Sequence, residues 1–190
     1  MNININSPMC QISKTDKIIL DTNILLMVFY SKYIQKDPKY KKGYQDFVNK
    51  LLCNKNKVYT TETNINEALH VIDKTALDLY NKRNKTSLGL KEFHKITSEL
   101  IQVHKDMKIF YNCIKEAIII LPSGNLNEWI TEYFSNDAPL DLYDYFLINV
   151  AKTNTIKNIL TDDEDFIYSS ELIEGLNILS QNSKIFNKKD

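Results

Sequence analysis

Lys17-Ile-Ile-Leu-Asp21-Thr-Asn23 is the stretch on which the fold turns. Three apolar residues followed at once by an acid read as a short buried strand that ends in a carboxylate, and Ile24 to about Tyr33 then reads as a helix. In a parallel α/β sheet, ligands sit beyond the carboxyl ends of the strands. An acid that closes such a strand therefore reaches a site while the strand itself stays dry. Working outward, similar short runs recur at Val58-Tyr-Thr-Thr61, Ala117-Ile-Ile-Ile-Leu121, Asn158-Ile-Leu-Thr161 and Leu176-Asn-Ile-Leu179. Longer amphipathic stretches separate them. Pro38 can open a helix to about Leu52, and Thr63 or Asn64 can cap one from Ile65 to about Tyr80. Leu90 to Glu116 is helical in pattern, Leu126 to Phe134 is a short helix, and Asp141 can cap a helix to about Thr153. Asn81 to Gly89 reads as a loop and Asn136 to Pro139 as a break. This alternation predicts a three-layer α/β/α sandwich with a central, mostly parallel sheet of four or five strands, enlarged by helices between Leu90 and Glu116. Residues 1–16 read as an N-terminal extension, 17–181 as the domain, and 182–190 as a tail.

Composition agrees with one folded domain. At 190 residues, 43% hydrophobic and 25% charged, a chain of this kind buries roughly 70% of its unfolded surface and needs no disulfide or metal staple. The longest apolar run, Ile24 to Tyr30, is far too short to span a bilayer, and the polar start Met1-Asn-Ile-Asn-Ile-Asn6 lacks the features of a secretion signal. These features predict a cytoplasmic protein with no membrane partner. Cys10, Cys53 and Cys113 form no C-x-x-C pair and read as reduced thiols that fill core space.

The formal charge of zero conceals a separation. Between Lys32 and Lys57 eight lysines face Asp37 and Asp46, whereas between Asp137 and Glu174 nine acids face Lys152 and Lys157. A solvated helix face accounts for the lysines as readily as a patch that steers phosphates. Acids gathered without a cation repel one another, so the second segment points to a bound divalent metal. Asp21 and Asp163 close strands, Asp144 lies in the first turn of its helix, and Glu67 lies near the start of the helix after the second strand. All four fall at one end of the inferred sheet.

With Asp21-Thr-Asn23, Glu67 in Thr61-Glu-Thr-Asn-Ile-Asn-Glu-Ala-Leu69, Asp144 in Asp-Tyr-Phe-Leu-Ile-Asn-Val-Ala151, and Thr161-Asp-Asp-Glu-Asp-Phe166, the chain resembles the PIN-domain nucleases. That family comprises metal-dependent ribonucleases, among them toxins of bacterial toxin–antitoxin pairs. The resemblance implies that Asp21, Glu67, Asp144 and Asp163 form a catalytic, metal-binding acid cluster, that Asn23 and Thr161 orient it, and that Asp165 is an accessory acid. It also implies an RNA substrate, with a cognate antitoxin and a second copy of the chain as candidate partners. Carboxylates suit Mg2+ or Mn2+, which can activate water for hydrolysis of an RNA phosphodiester without help from histidine or cysteine. The competing expectation is a PIN-like scaffold that binds RNA or protein without catalysis.

Other chemistries fit less well. Glu67-Ala-Leu-His70 is half of a di-iron motif and has no second copy. A phosphoryl-enzyme mechanism of the haloacid-dehalogenase kind wants an aspartate where Asn23 stands. No glycine-rich phosphate loop or nucleophile elbow is present, and the chain has only four glycines.

Overall fold

A computed structural model describes residues 1–7, 10–33, 38–135, 140–168 and 174–186. The break read at Asn136 to Pro139, together with Lys36, Asp37 and Glu171, lies outside the described residues. The strands are β1 (Asn2–Asn4), β2 (Lys17–Leu20), β3 (Lys57–Thr61), β4 (Ile119–Leu121), β5 (Asn158–Leu160) and β6 (Asn177–Ser180). They form one sheet in the order β1-β6-β5-β2-β3-β4. Every pairing is parallel. The α/β sandwich is thus as the sequence implies, with one strand more than the four or five expected. The added strand, β1, comes from the segment read as an extension. Its residues alternate Asn and Ile, so it lacks the continuous apolar run by which the inner strands were recognised, and it sits at the sheet edge against β6.

The helices are α1 (Thr22–Phe29), α2 (Pro38–Cys53), α3 (Glu62–Asn84), α4 (Leu90–Phe93), α5 (Thr97–Ala117), α6 (Leu126–Ser135) and α7 (Leu142–Thr153). Successive strand residues point to opposite faces. Ile18 and Leu20 of β2 therefore pack with α1, α2, α3 and α5, while Ile19 packs with Leu147, Ile148 and Ala151 of α7. Helix α3 begins earlier than expected because the Thr61 side chain accepts a hydrogen bond from the Asn64 N–H at 3.0 Å. It also runs on to Asn84 through residues read as loop, and Lys85 in the left-handed region ends it. Between α4 and α5 the Leu90–Glu116 stretch breaks at His94 to Ile96.

Cys53 and Cys113 are exposed and Cys10 is half-buried, so the thiols do not fill the core. Each stands on or near an amphipathic helix or a chain end whose buried positions are taken by larger side chains such as Tyr44, Phe110 and Ile114. Among the described residues, no helix is long and apolar enough to cross a membrane.

The strand order reverses between β2 and β5, because the chain proceeds outward from β2 through β3 and β4 and then returns to the other side through β5 and β6. Beyond the carboxyl ends of β2 and β5 the connections leave in opposite directions and open a crevice. Asp21 follows β2 directly, and Thr161 follows β5.

Candidate active site

Asp21 is 5% exposed and caps α1, its Oδ1 accepting from the Thr22 N–H at 2.5 Å. The Thr161 hydroxyl donates to Oδ2 of the same carboxylate at 2.7 Å and accepts from the Asp163 N–H at 3.0 Å. One hydroxyl thus fixes the acid after β2 relative to the acid after β5. Asn23 lies alongside, its Oδ1 accepting from the Asp162 N–H at 3.2 Å. Asp163 in turn accepts at Oδ1 from the Asp165 N–H at 2.9 Å. The Asp165 side chain is exposed and does not line the pocket described below.

Glu67 projects from the second turn of α3, and its Oε2 accepts from the Thr22 hydroxyl at 2.5 Å. Asp144 is 7% exposed in the first turn of α7. Asp141 caps that helix by accepting from the Asp144 N–H at 2.9 Å. The structure brings Asp21, Glu67, Asp144 and Asp163 together around one pocket of about 160 Å³, with Asn23 and Asp141 also in its wall. Leu26, Tyr33 and Val71 also line it.

Five carboxylates around so small a space make a strongly negative field. Burial pushes Asp144 up to about 10, with the charges of Asp21, Asp141, Asp163 and Glu67 adding to the effect. Burial likewise raises Asp21 to about 7, against the Thr161 hydrogen bond, which favours the charged form, and with the charge of Glu67 adding to the rise. Glu67 is raised by burial and held back by the Thr22 hydroxyl. Among the described residues, no lysine or arginine lines the pocket. Ion pairs of the described residues, Lys32–Asp106, Arg83–Glu99, His94–Asp73 and Lys184–Glu164, all lie elsewhere.

All the donors here are oxygens from carboxylates, hydroxyls and one amide. Such a set fits Mg2+ or Mn2+ and lacks the nitrogen and sulfur ligands that favour zinc. Among the described residues, no three His, Cys, Asp or Glu side chains are already gathered as a closed metal cage. The carboxylates line a common pocket without converging on one point.

Three participants were not anticipated from the sequence. Thr22 orients Glu67, and Asn64 donates to Asp21 Oδ1 at 3.3 Å and to the Thr22 hydroxyl at 3.0 Å. Asp141, read only as a cap, is also a pocket acid. Spacing could have found two of them: Asn64 precedes Glu67 by three residues and Asp141 precedes Asp144 by three, which puts each pair on one helical face. Asp162 was also missed. Its carboxylate accepts from the hydroxyls of Tyr40 and, at 2.8 Å, Tyr44, which ties α2 to the end of β5. The lysine run is less uniform than its sequence. Lys32 pairs with Asp106 at 2.5 Å, and Lys41 donates to the carbonyls of Tyr30 and Tyr33 at 3.0 and 3.1 Å beyond the end of α1. His70 is exposed and outside the pocket, and His94 is bound to Asp73.

No family model matches the sequence, and no curated protein matches it. Among solved structures, the fold is similar to a chain of VapBC2 from Rickettsia felis, whose crystal structure holds the protein bound to a DNA fragment from its promoter. Identity is 15%, the likeness covers 86% of this chain and 98% of that one, and the TM-score is 0.50. What the two share at that identity is the fold, an α/β sandwich.

Proposed function

We propose that this chain is a metal-dependent endoribonuclease of the PIN type. The observation that carries the reading is the buried carboxylate pocket at the β2/β5 crevice, in which Asp21, Glu67 and Asp144 are pushed toward protonation and, among the described residues, no lysine or arginine stands in the wall. Mg2+ or Mn2+ bound there would neutralise the acids, activate water and stabilise charge on the phosphate. Asp21, Asp144 and Asp163 would hold the ion. Glu67, fixed by the Thr22 hydroxyl, would be a further ligand or position the attacking water. Thr161 and Asn23 keep the two strand-end loops in register, while Asp165 supports Asp163 only through its backbone N–H. Leu26 and Val71 form an apolar part of the pocket wall, and a less polar surround strengthens the charge interactions inside it.

The likeness to VapBC2 supports a place in a toxin–antitoxin pair, with an antitoxin protein as partner. A second copy of the chain as another partner and the cytoplasm as the compartment complete the proposal. Incubation of the purified protein with mixed RNAs and Mn2+, with and without chelator, tests the catalytic reading. Chelator-sensitive cleavage that Asp21→Asn abolishes is expected. Equal cleavage by Asp21→Asn and the parent, with contaminating ribonuclease excluded, would leave the non-catalytic scaffold in its place.

A further inference from the structure

The carboxyl end of the sheet holds a second depression, displaced from the acid pocket toward β4. It is a groove of about 550 Å³ between the first turns of α3 and the loop after β4, with Glu62, Thr63, Asn66, Tyr111, Ser123 and Leu126 in its wall. Thr63 lies one turn before Glu67 on α3, so the wall of this groove continues into that of the acid pocket.

Tyr111 is 40% exposed and does not stand alone. His104, Lys108, Tyr111 and Lys115 recur along α5 at intervals of four, three and four residues, which aligns them on one stripe, and all four are exposed. Neither Lys108 nor Lys115 is in an ion pair among the described residues. An aromatic ring between two cations is the chemistry that grips a single nucleic-acid strand, the ring by stacking on a base and the cations by pairing with phosphates. Across the groove stands the Glu62 carboxylate, which accepts a long hydrogen bond from the Ser123 N–H at 3.4 Å. A carboxylate can only accept, so it favours a base edge that carries an exocyclic amine.

We propose that this groove is a base-binding subsite for single-stranded RNA, in which an unpaired base stacks on Tyr111, Glu62 accepts from its amine, and Lys108 and Lys115 hold the flanking phosphates. The proposal rests on the ribonuclease reading of the adjoining pocket and names its substrate as unpaired RNA, since a base inside a duplex cannot present its face to Tyr111. The strand then runs from the α5 stripe past Thr63 to the acids. Recognition of the base and hydrolysis of the phosphate are thereby divided between two neighbouring walls of α3.

The test is binding of short fluorescein-labelled oligo(A), oligo(C) and oligo(U) RNAs in EDTA, where no cleavage intervenes. Trp129, the single tryptophan, packs against Gly124 in the groove wall and supplies a second, intrinsic signal. Saturable binding is expected, with oligo(A) and oligo(C) ahead of oligo(U). Tyr111→Ala should weaken it by about 5- to 160-fold, the span of one stacked base. The double change Lys108→Ala, Lys115→Ala should flatten the dependence of log K on log salt by roughly 0.7 per lysine. Glu62→Gln should erase the preference over oligo(U). The proposal is overturned if these variants bind as the parent does with the same salt slope. It is also overturned if the parent sediments as a dimer that Tyr111→Ala dissociates, which would make the face a protein interface. Cleavage with Mn2+ that survives either result leaves the ribonuclease reading standing without the subsite. Variant-sensitive binding without any cleavage supports the subsite and removes the catalytic reading.

Discussion

Replacing Asp144 with asparagine is expected to stabilise the metal-free protein. The native carboxyl holds its proton up to about 10, against 3.8 for a free aspartate, so above about pH 4 the folded state binds more protons than the unfolded one. Stability from this group is therefore greatest below that pH and declines as pH rises toward the native value. At pH 7 roughly three pH units of the window have been crossed, which at about 1.4 kcal/mol per unit sets a ceiling of about 4 kcal/mol. Asp21 and Glu67 share the same field, and the new amide is itself buried, so about half of that is taken as the gain from Asp144→Asn. For a chain of this size, about 2 kcal/mol corresponds to a rise in Tm of roughly 4–8 °C. Thermal melts in EDTA between about pH 4.5 and 8 read it directly: the variant should gain on the parent as pH rises. Mn2+ should then reverse the order, because a cation held at a hundred times its Kd adds about 3 kcal/mol to the protein that binds it. A variant that melts below the parent throughout that range in EDTA, or a gap that is flat with pH, refutes the reasoning.

Thr161→Val removes the hydroxyl shared by Asp21 and Asp163; Mn2+ affinity, read by titration calorimetry, should fall about 10- to 100-fold with the fold intact. Lys41→Ala should cost about 1–2 kcal/mol in denaturant melts, since its ammonium satisfies carbonyls beyond the end of α1, whereas Lys42→Ala should leave stability within about 0.5 kcal/mol and weaken RNA binding instead. Tyr44→Phe deletes the hydroxyl that donates to Asp162, contacts Ser180 and accepts from the Gln181 N–H, and should cost about 2 kcal/mol in the same assay.

The inner strands were legible because both of their faces are buried, so Ile18, Ile19 and Leu20 leave a continuous apolar run that needs no periodicity to be seen. Strand β1 was not, because an edge strand with alternating Asn and Ile carries half that signal. At the site, acids that close strands could be placed from the chain alone, since a strand end fixes where its next residue goes. Thr22 and Asn64 could not be placed in the same way. Their roles depend on α1 and α3 lying side by side, a tertiary fact that joins residues 42 positions apart. The lysine run was legible only in part. Charge density in a sequence does not say whether a cation faces solvent or, like Lys41, closes a neighbouring helix.

The arrangement of helix ends explains how such an acid pocket can fold before it meets a cation. Asp21 caps α1, Asp141 caps α7 and places Asp144 in its first turn, and Glu67 lies near the start of α3. Three helices thus present their positive ends to one pocket, each contributing about 0.3–1 kcal/mol toward a nearby carboxylate. Thr161, Thr22 and Asn64 add donors to Asp21 and Glu67. Asp144 is the exception: burial first and then the charges of its neighbours raise its pKa, and none of the described hydrogen bonds donates to its carboxyl group. The dipoles and donors offset part of the repulsion and leave its largest share on one residue. A divalent ion would relieve the pocket most by approaching Asp144, so the acid least supported by the protein is the one whose chemistry most depends on the ion.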